Sequence, residues 1–254
     1  MSRNASTATS LENRQTYGHS VEFWFPGRWL GGTSLIAGPL LLLVGALLRI
    51  EFDFFFQQQL AAIEKHPTLV TASYSCILAG TILLWPAIVT LARLIGLTRP
   101  AWALWGGSLV LFGLFARTFH AGIDHLAFQL VRIEGLDAAT KVVQGSYGAF
   151  HVVAALNGAI LFGWIVLAIG AYRSKVLGLL RSVALGLMAA LMMGVLKGSS
   201  IMSVVSITGL CVALMPLGVQ VLREQPMPSS RDFVRWFLFV IGLVVVMFYF
   251  GRLG

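Results

Sequence analysis

The chain has 254 residues, of which 57% are hydrophobic and 11% charged, with a net charge of +8 and a mean hydropathy of +0.84. Soluble domains carry about 25% charged residues, and a soluble fold of this size has no way to hide so much apolar side chain from water. A nucleic-acid binder is set aside too: the cations fall between apolar runs, with no basic stripe interleaved with aromatics.

Met1 to Arg28 is polar and lacks the apolar core of a signal peptide. It reads as a cytoplasmic tail, residues 1–28, ahead of a single transmembrane domain, residues 29–254. A membrane-crossing helix needs about 20 apolar residues to cover a hydrocarbon core of about 30 Å. Runs of that kind are expected at about 29–50, 69–95, 101–131, 142–172, 176–196, 201–222 and 233–250. The fold class is therefore all-α: a polytopic integral membrane helical bundle of about seven transmembrane helices.

The connecting segments orient the bundle. Eleven Lys and Arg residues fall in the tail and the even-numbered loops, among them Arg28, Arg93, Arg99, Arg173 and Lys175. Six fall on the other side: Arg49, Lys65, Arg132, Lys141, Lys197 and Arg252. The positive-inside rule puts the N-terminus in the cytoplasm and the C-terminus outside, in a cytoplasmic (inner) membrane. Trp24, Trp29, Trp102, Trp105 and Trp236 stand at span borders, where aromatic rings favour the headgroup level.

Between spans one and two, Phe54 to Leu60 fits either a short interfacial helix or a loop packed on the bundle. Span five carries Gly178, Ser182, Gly186, Ala190, Gly194 and Gly198 at every fourth position. That ridge predicts close helix packing with a right-handed crossing. Pro39, Pro86 and Pro216 lie inside spans and are expected to kink them. Cys76 and Cys211 lie in apolar runs without zinc-type spacing and read as small buried hydrophobes.

The chemistry-bearing stretch is Ala116 to His125 in span three. Arg117, His120 and Asp124 stand at i, i+3 and i+7, hence on one helical face. Charge at mid-span costs at least about 2.5–3.5 kcal/mol, so such residues mark a site or neutralise one another. His125 lies about 100° away from Asp124 around the helix. Span four offers Tyr147 and His151 one turn apart, with Asn157 deeper. If spans three and four form an antiparallel hairpin about residues 132–141, facing residues sum to roughly 273, which sets His151 level with Gly122.

Several readings stay open. The lead is a small ligand or ion bound or moved by the cluster Arg117, His120, Asp124, His125, Tyr147, His151 and Asn157. A second is a membrane metalloenzyme, with His120, Asp124 and His151 holding zinc or iron and a position left for water that the metal would activate for hydrolysis. A third is a bis-histidine haem b held by His120 or His125 with His151. The structural alternative is a buried hydrogen-bond network that fixes helix register in an accessory or immunity-type protein. Partners beyond the lipid bilayer are a homo-oligomer or a membrane protein.

Hydroxyls at Ser73 and Ser75 are expected to bond the backbone one turn earlier. Glu51, Asp53 and Glu64 read as solvated or paired with Arg49 and Lys65, and Lys197 as snorkelling from the end of span five. The last span has neither a lysine for a Schiff base nor a histidine for a metal, and no H-E-x-x-H or P-loop pattern occurs.

Overall fold

The computed structural model describes residues 24–146, 152–191, 196–224 and 229–252. Among them every regular element is helical. The helices are α1 (Arg28–Leu48), α2 (Phe56–Lys65), α3 (Pro67–Gly96), α4 (Pro100–Glu134), α5 (Leu136–Ser146), α6 (Asn157–Arg173), α7 (Leu179–Gly186), α8 (Ile201–Arg223) and α9 (Ser230–Gly251). Short 3-10 turns, Val152–Leu156 and Leu187–Ala190, precede α6 and follow α7.

Local chemistry sets the boundaries. Pro67 and Pro100 open α3 and α4 at the first helical position, where a missing N–H costs nothing. Gly135 closes α4 with φ +85°, a conformation that glycine adopts without penalty. Ser200 caps α8 through a reciprocal box with Ser203.

Six helical stretches are long and apolar enough to cross a membrane: Arg28–Leu48, Pro67–Gly96, Pro100–Glu134, Val152–Arg173, Ile201–Arg223 and Val234–Gly251. The polytopic membrane bundle is thus confirmed. The expected span at 142–172 is divided. Its first residues belong to α5, and the apolar crossing runs over Val152–Arg173.

The expected span at 176–196 is not one helix. Leu179–Ala190 makes only about 18 Å at 1.5 Å per residue, short of the ~30 Å core. Yet the chain still travels the length of the bundle. The Leu177 N–H bonds the Ala171 carbonyl at one end, and the Gly198 N–H bonds the Phe54 carbonyl at the other. The fifth passage holds a short helix, and of the residues described after it, Leu191 and 196–200 are non-helical. The small-residue ridge loses its continuity there. Gly186 meets only the Ala168 Cβ at contact distance, Gly198 lies against Asp53 and Phe54, and Gly194 falls outside the described residues.

The close helix contacts are made elsewhere, by glycines seven apart. On α1, Gly31, Gly38 and Gly45 face Thr90, Leu84 and Ile77 of α3. On α4, a Cβ at Gly106 would stand 2.8 Å from the Leu167 Cα, and one at Gly113 would stand 2.9 Å from the Ile160 Cα. Both pairs sum to 273, the register expected of spans three and four. Gly32 and Gly218 let α1 and α8 approach in the same way. In lipid, where burial from water does not drive helix association, such backbone proximity supplies the packing energy.

Two cores result. The main one lies between α1, α3, α4, α6, α7 and α8, and holds Leu35, Leu91, Trp164 and Leu214. The second lies at the Arg49 end of the bundle, where α2 and α5 fold over the ends of α3 and α4 around Leu60, Ile63, Phe128 and Val143. The Phe54–Leu60 segment is therefore packed on the bundle. At 35 residues α4 is about 52 Å long, so it reaches past the hydrocarbon into this cap. Among the described residues α9 packs against none of the other helices.

Candidate functional site

Between the two cores lies a cavity of about 110 Å³, against the ~10–15 Å³ that a single water needs. Its walls come from α1, α3, α4, the 3-10 turn after α7, the chain at 197–199 and the start of α8. The floor, toward the Arg28 end, is apolar and includes Leu42, Leu84, Leu114 and Ile207.

One wall follows from helical periodicity. Arg117, His120, Ala121 and Asp124 all line the cavity, as residues at i, i+3, i+4 and i+7 of α4 should. A second wall is the end of α1, where Leu42, Ala46 and Arg49 continue one stripe at i, i+4 and i+7. A third is the non-helical chain that completes the fifth passage. It is pinned at three points. The Asp124 carboxylate accepts from the Leu196 N–H at 2.6 Å. Arg49 Nη2 donates to the Lys197 carbonyl at 2.9 Å. Gly198 bonds Phe54. Leu196 itself sits at φ +54°, a left-handed conformation unusual for a leucine.

The lining is cationic. Among the described residues of the lining, Arg49, Arg117 and Lys197 stand against the single carboxylate of Asp124. Arg49, one residue past α1, is only 5% exposed. Burial pulls its guanidinium below the usual arginine range, and the Asp124 carboxylate opposes that pull. An arginine nonetheless stays charged. The Lys197 ammonium lies 5.1 Å and 5.3 Å from the rings of Phe54 and Phe55.

Arg49 Nε and Nη1 and Arg117 Nε and Nη2 are enclosed and have no hydrogen-bond partner among the described residues. Leaving a buried donor unsatisfied costs about 1–3 kcal/mol, more when it is charged. Four such nitrogens on two residues that line one cavity are an uncommon concentration for a native fold.

Of the residues singled out by sequence, Arg117, His120 and Asp124 share the cavity. His125 turns away and meets the Tyr74 hydroxyl at 3.2 Å through Nδ1. Asn157 is exposed at the start of α6, off the cavity wall. Tyr147 and His151 lie outside the described residues, and with them the third ligand of the metal and haem readings. Among the described residues no group of three His, Cys, Asp or Glu side chains is placed to hold a metal ion.

Sequence reasoning missed Arg49, Lys197, Ser199 and Ser203 as wall residues. Arg49 carried a usable signal, since it extends the Leu42–Ala46 stripe. Ser73 also departs from expectation, reaching the Gly45 carbonyl of α1 at 2.7 Å, whereas Ser75 bonds Thr71 one turn earlier. No family model, no curated protein and no solved structure matches this chain.

Proposed function

We propose that this multi-pass membrane protein binds a small charged solute in the cavity bounded by Arg49, Arg117, His120 and Asp124. One observation carries the reading: two arginines line a space large enough for a group of several heavy atoms, and four of their guanidinium nitrogens are enclosed without partners among the described residues. A network whose only task was to hold helices in register would satisfy its own donors. The apolar floor and the packed core beneath it favour a binding site closed toward the Arg28 end. Arg28, Arg93, Arg99, Arg173, Lys175 and Arg223 gather at that end, which the positive-inside rule assigns to the cytoplasm. The cavity then faces the opposite side of the membrane.

The test is thermal unfolding of detergent-purified protein across a panel of small anions, cations and zwitterions. The comparison is Ala121→Phe, which fills the cavity. A ligand at 100 times its Kd stabilises by about 2.7 kcal/mol. At least one solute is expected to raise the Tm of the wild type by several degrees and to leave Ala121→Phe unchanged. A panel in which no solute separates the two proteins overturns the reading.

A further inference from the structure

We infer that the solute is an oxyanion, a carboxylate or phosphate group held by the guanidinium fork of Arg117, with Arg49 as a second cationic donor. This deepens the solute-binding reading and rests on it.

The nitrogens left over are the telling feature. Arg117 Nε and Nη2 are the two donors of one edge of its guanidinium, and both are enclosed without a partner among the described residues. That edge matches two oxygens of a carboxylate or phosphate, each accepting one N–H. Arg49 is tethered through Nη2 to the Lys197 carbonyl, so its position is fixed. Its Nε and Nη1 are enclosed without a partner among the described residues, which adds donors from a second side chain. Two guanidinium-bearing residues from different parts of the chain, both lining a cavity of about 110 Å³, suit a compact planar or tetrahedral oxyanion.

The rest of the lining agrees in sign. The N-terminus of α8, a 23-residue helix, begins at the wall, where Ser199 and Ser203 line the cavity. A helix N-terminus carries a partial positive charge and favours anions. Asp124 has the opposite sign, but one of its oxygens is already committed to the Leu196 N–H. Among the described lining residues, Arg49, Arg117 and Lys197 against the Asp124 carboxylate leave a positive excess that an anion neutralises and a cation aggravates.

An oxyanion reaches such a site either as a free solute or as a lipid headgroup. Thermal shift and titration calorimetry on the intact protein separate these sources with three probes: inorganic phosphate, acetate, and a short-chain phosphatidic acid in the detergent micelle. Ammonium and choline chloride serve as cation controls. The wild type is expected to respond saturably to at least one oxyanion probe and to neither cation. Arg117→Lys, which keeps the charge and loses the fork, is expected to weaken the response roughly tenfold or more. Arg49→Lys provides a second variant should Arg117→Lys fail to fold. A response to phosphate or acetate assigns a free oxyanion, and a response to phosphatidic acid alone assigns a headgroup. Stabilisation by a cation or neutral solute with none by any oxyanion overturns this inference and leaves the solute-binding reading standing. Silence across the whole panel removes both. An oxyanion response unchanged in Arg117→Lys and Arg49→Lys places the anion elsewhere and overturns the inference.

Discussion

Asp124, inside α4, holds the backbone of Leu196, seventy-two positions away, through a 2.6 Å hydrogen bond to a left-handed residue. A left-handed conformation at a non-glycine residue costs of order 1–3 kcal/mol and persists only where its surroundings enforce it. The Asp124 bond, the Arg49 bond to Lys197 and the Gly198 bond to Phe54 are that enforcement. They keep the chain extended beside the cavity, and the charged groups that line the site thereby also shape it.

Asp124→Ala removes the acceptor and is expected to destabilise the fold by about 1–3 kcal/mol. It should also raise the labelling rate of a cysteine introduced at Ser199. Asp124→Asn keeps a carbonyl oxygen for the Leu196 N–H and should retain most of the stability. Thermal melts with maleimide labelling of the two variants check both points. Equal losses in Ala and Asn would assign the role of Asp124 to its charge.

A close backbone-to-backbone helix contact involves Gly80. A Cβ there would stand 2.8 Å from the Gly38 carbonyl oxygen and 2.9 Å from the Leu42 nitrogen, both backbone atoms that cannot swing aside. Gly80→Ala is expected to cost about 1–3 kcal/mol through forced separation of α1 and α3. Gly122→Ala, where nothing among the described residues lies within 4 Å, should be neutral or mildly stabilising, since alanine is the better helix former. Unfolding curves of the two variants in parallel give the comparison.

Pro216 offers no N–H to the Val212 carbonyl one turn earlier. At the next position, Arg181 of α7 places Nε and Nη2 on the Ala213 carbonyl at 3.2 and 2.6 Å. This fork ties the short helix of the fifth passage to α8. Arg181→Ala should lower stability by about 1–2 kcal/mol, and Arg181→Lys should recover part of it. Thermal melts of both variants decide whether the tie matters.

The fifth passage makes a topological prediction. Lys175 and Ser199 lie at opposite ends of the bundle although only a twelve-residue helical stretch separates them. Single cysteines at these positions should label with a membrane-impermeant reagent from opposite sides. Labelling from one side only would mean that the chain turns back within the membrane.

Much of this was legible in the sequence, for physical reasons. Long apolar runs gave six of the spans, and the antiparallel register of α4 and α6 emerged at Gly106–Leu167 and Gly113–Ile160 as the hairpin sum required. The polar stripe Arg117–His120–Asp124 followed from helical spacing alone. The break in span five did not, because hydropathy sees apolar residues and not their conformation. What holds Leu196 to Ser200 out of a helix is distant in sequence: Asp124, Arg49 and Phe54. Arg49 escaped for the same reason. At the end of an apolar run it looks like an orienting loop charge, and only the convergence of α1, α4 and the 197–199 chain reveals it as a wall of the cavity.

The most direct test of the central claim compares the melting temperatures of wild type and Arg117→Met in solute-free buffer and with the stabilising solute. Methionine keeps the length and packing of the stem and removes the enclosed charge, whose Nε and Nη2 have no partner among the described residues, a change that is often neutral or stabilising for a buried ion. A binding residue predicts Arg117→Met at least as stable as wild type without solute, with the solute response lost. A melting temperature several degrees below wild type, with the response intact, would contradict the account and make Arg117 a structural element of the bundle.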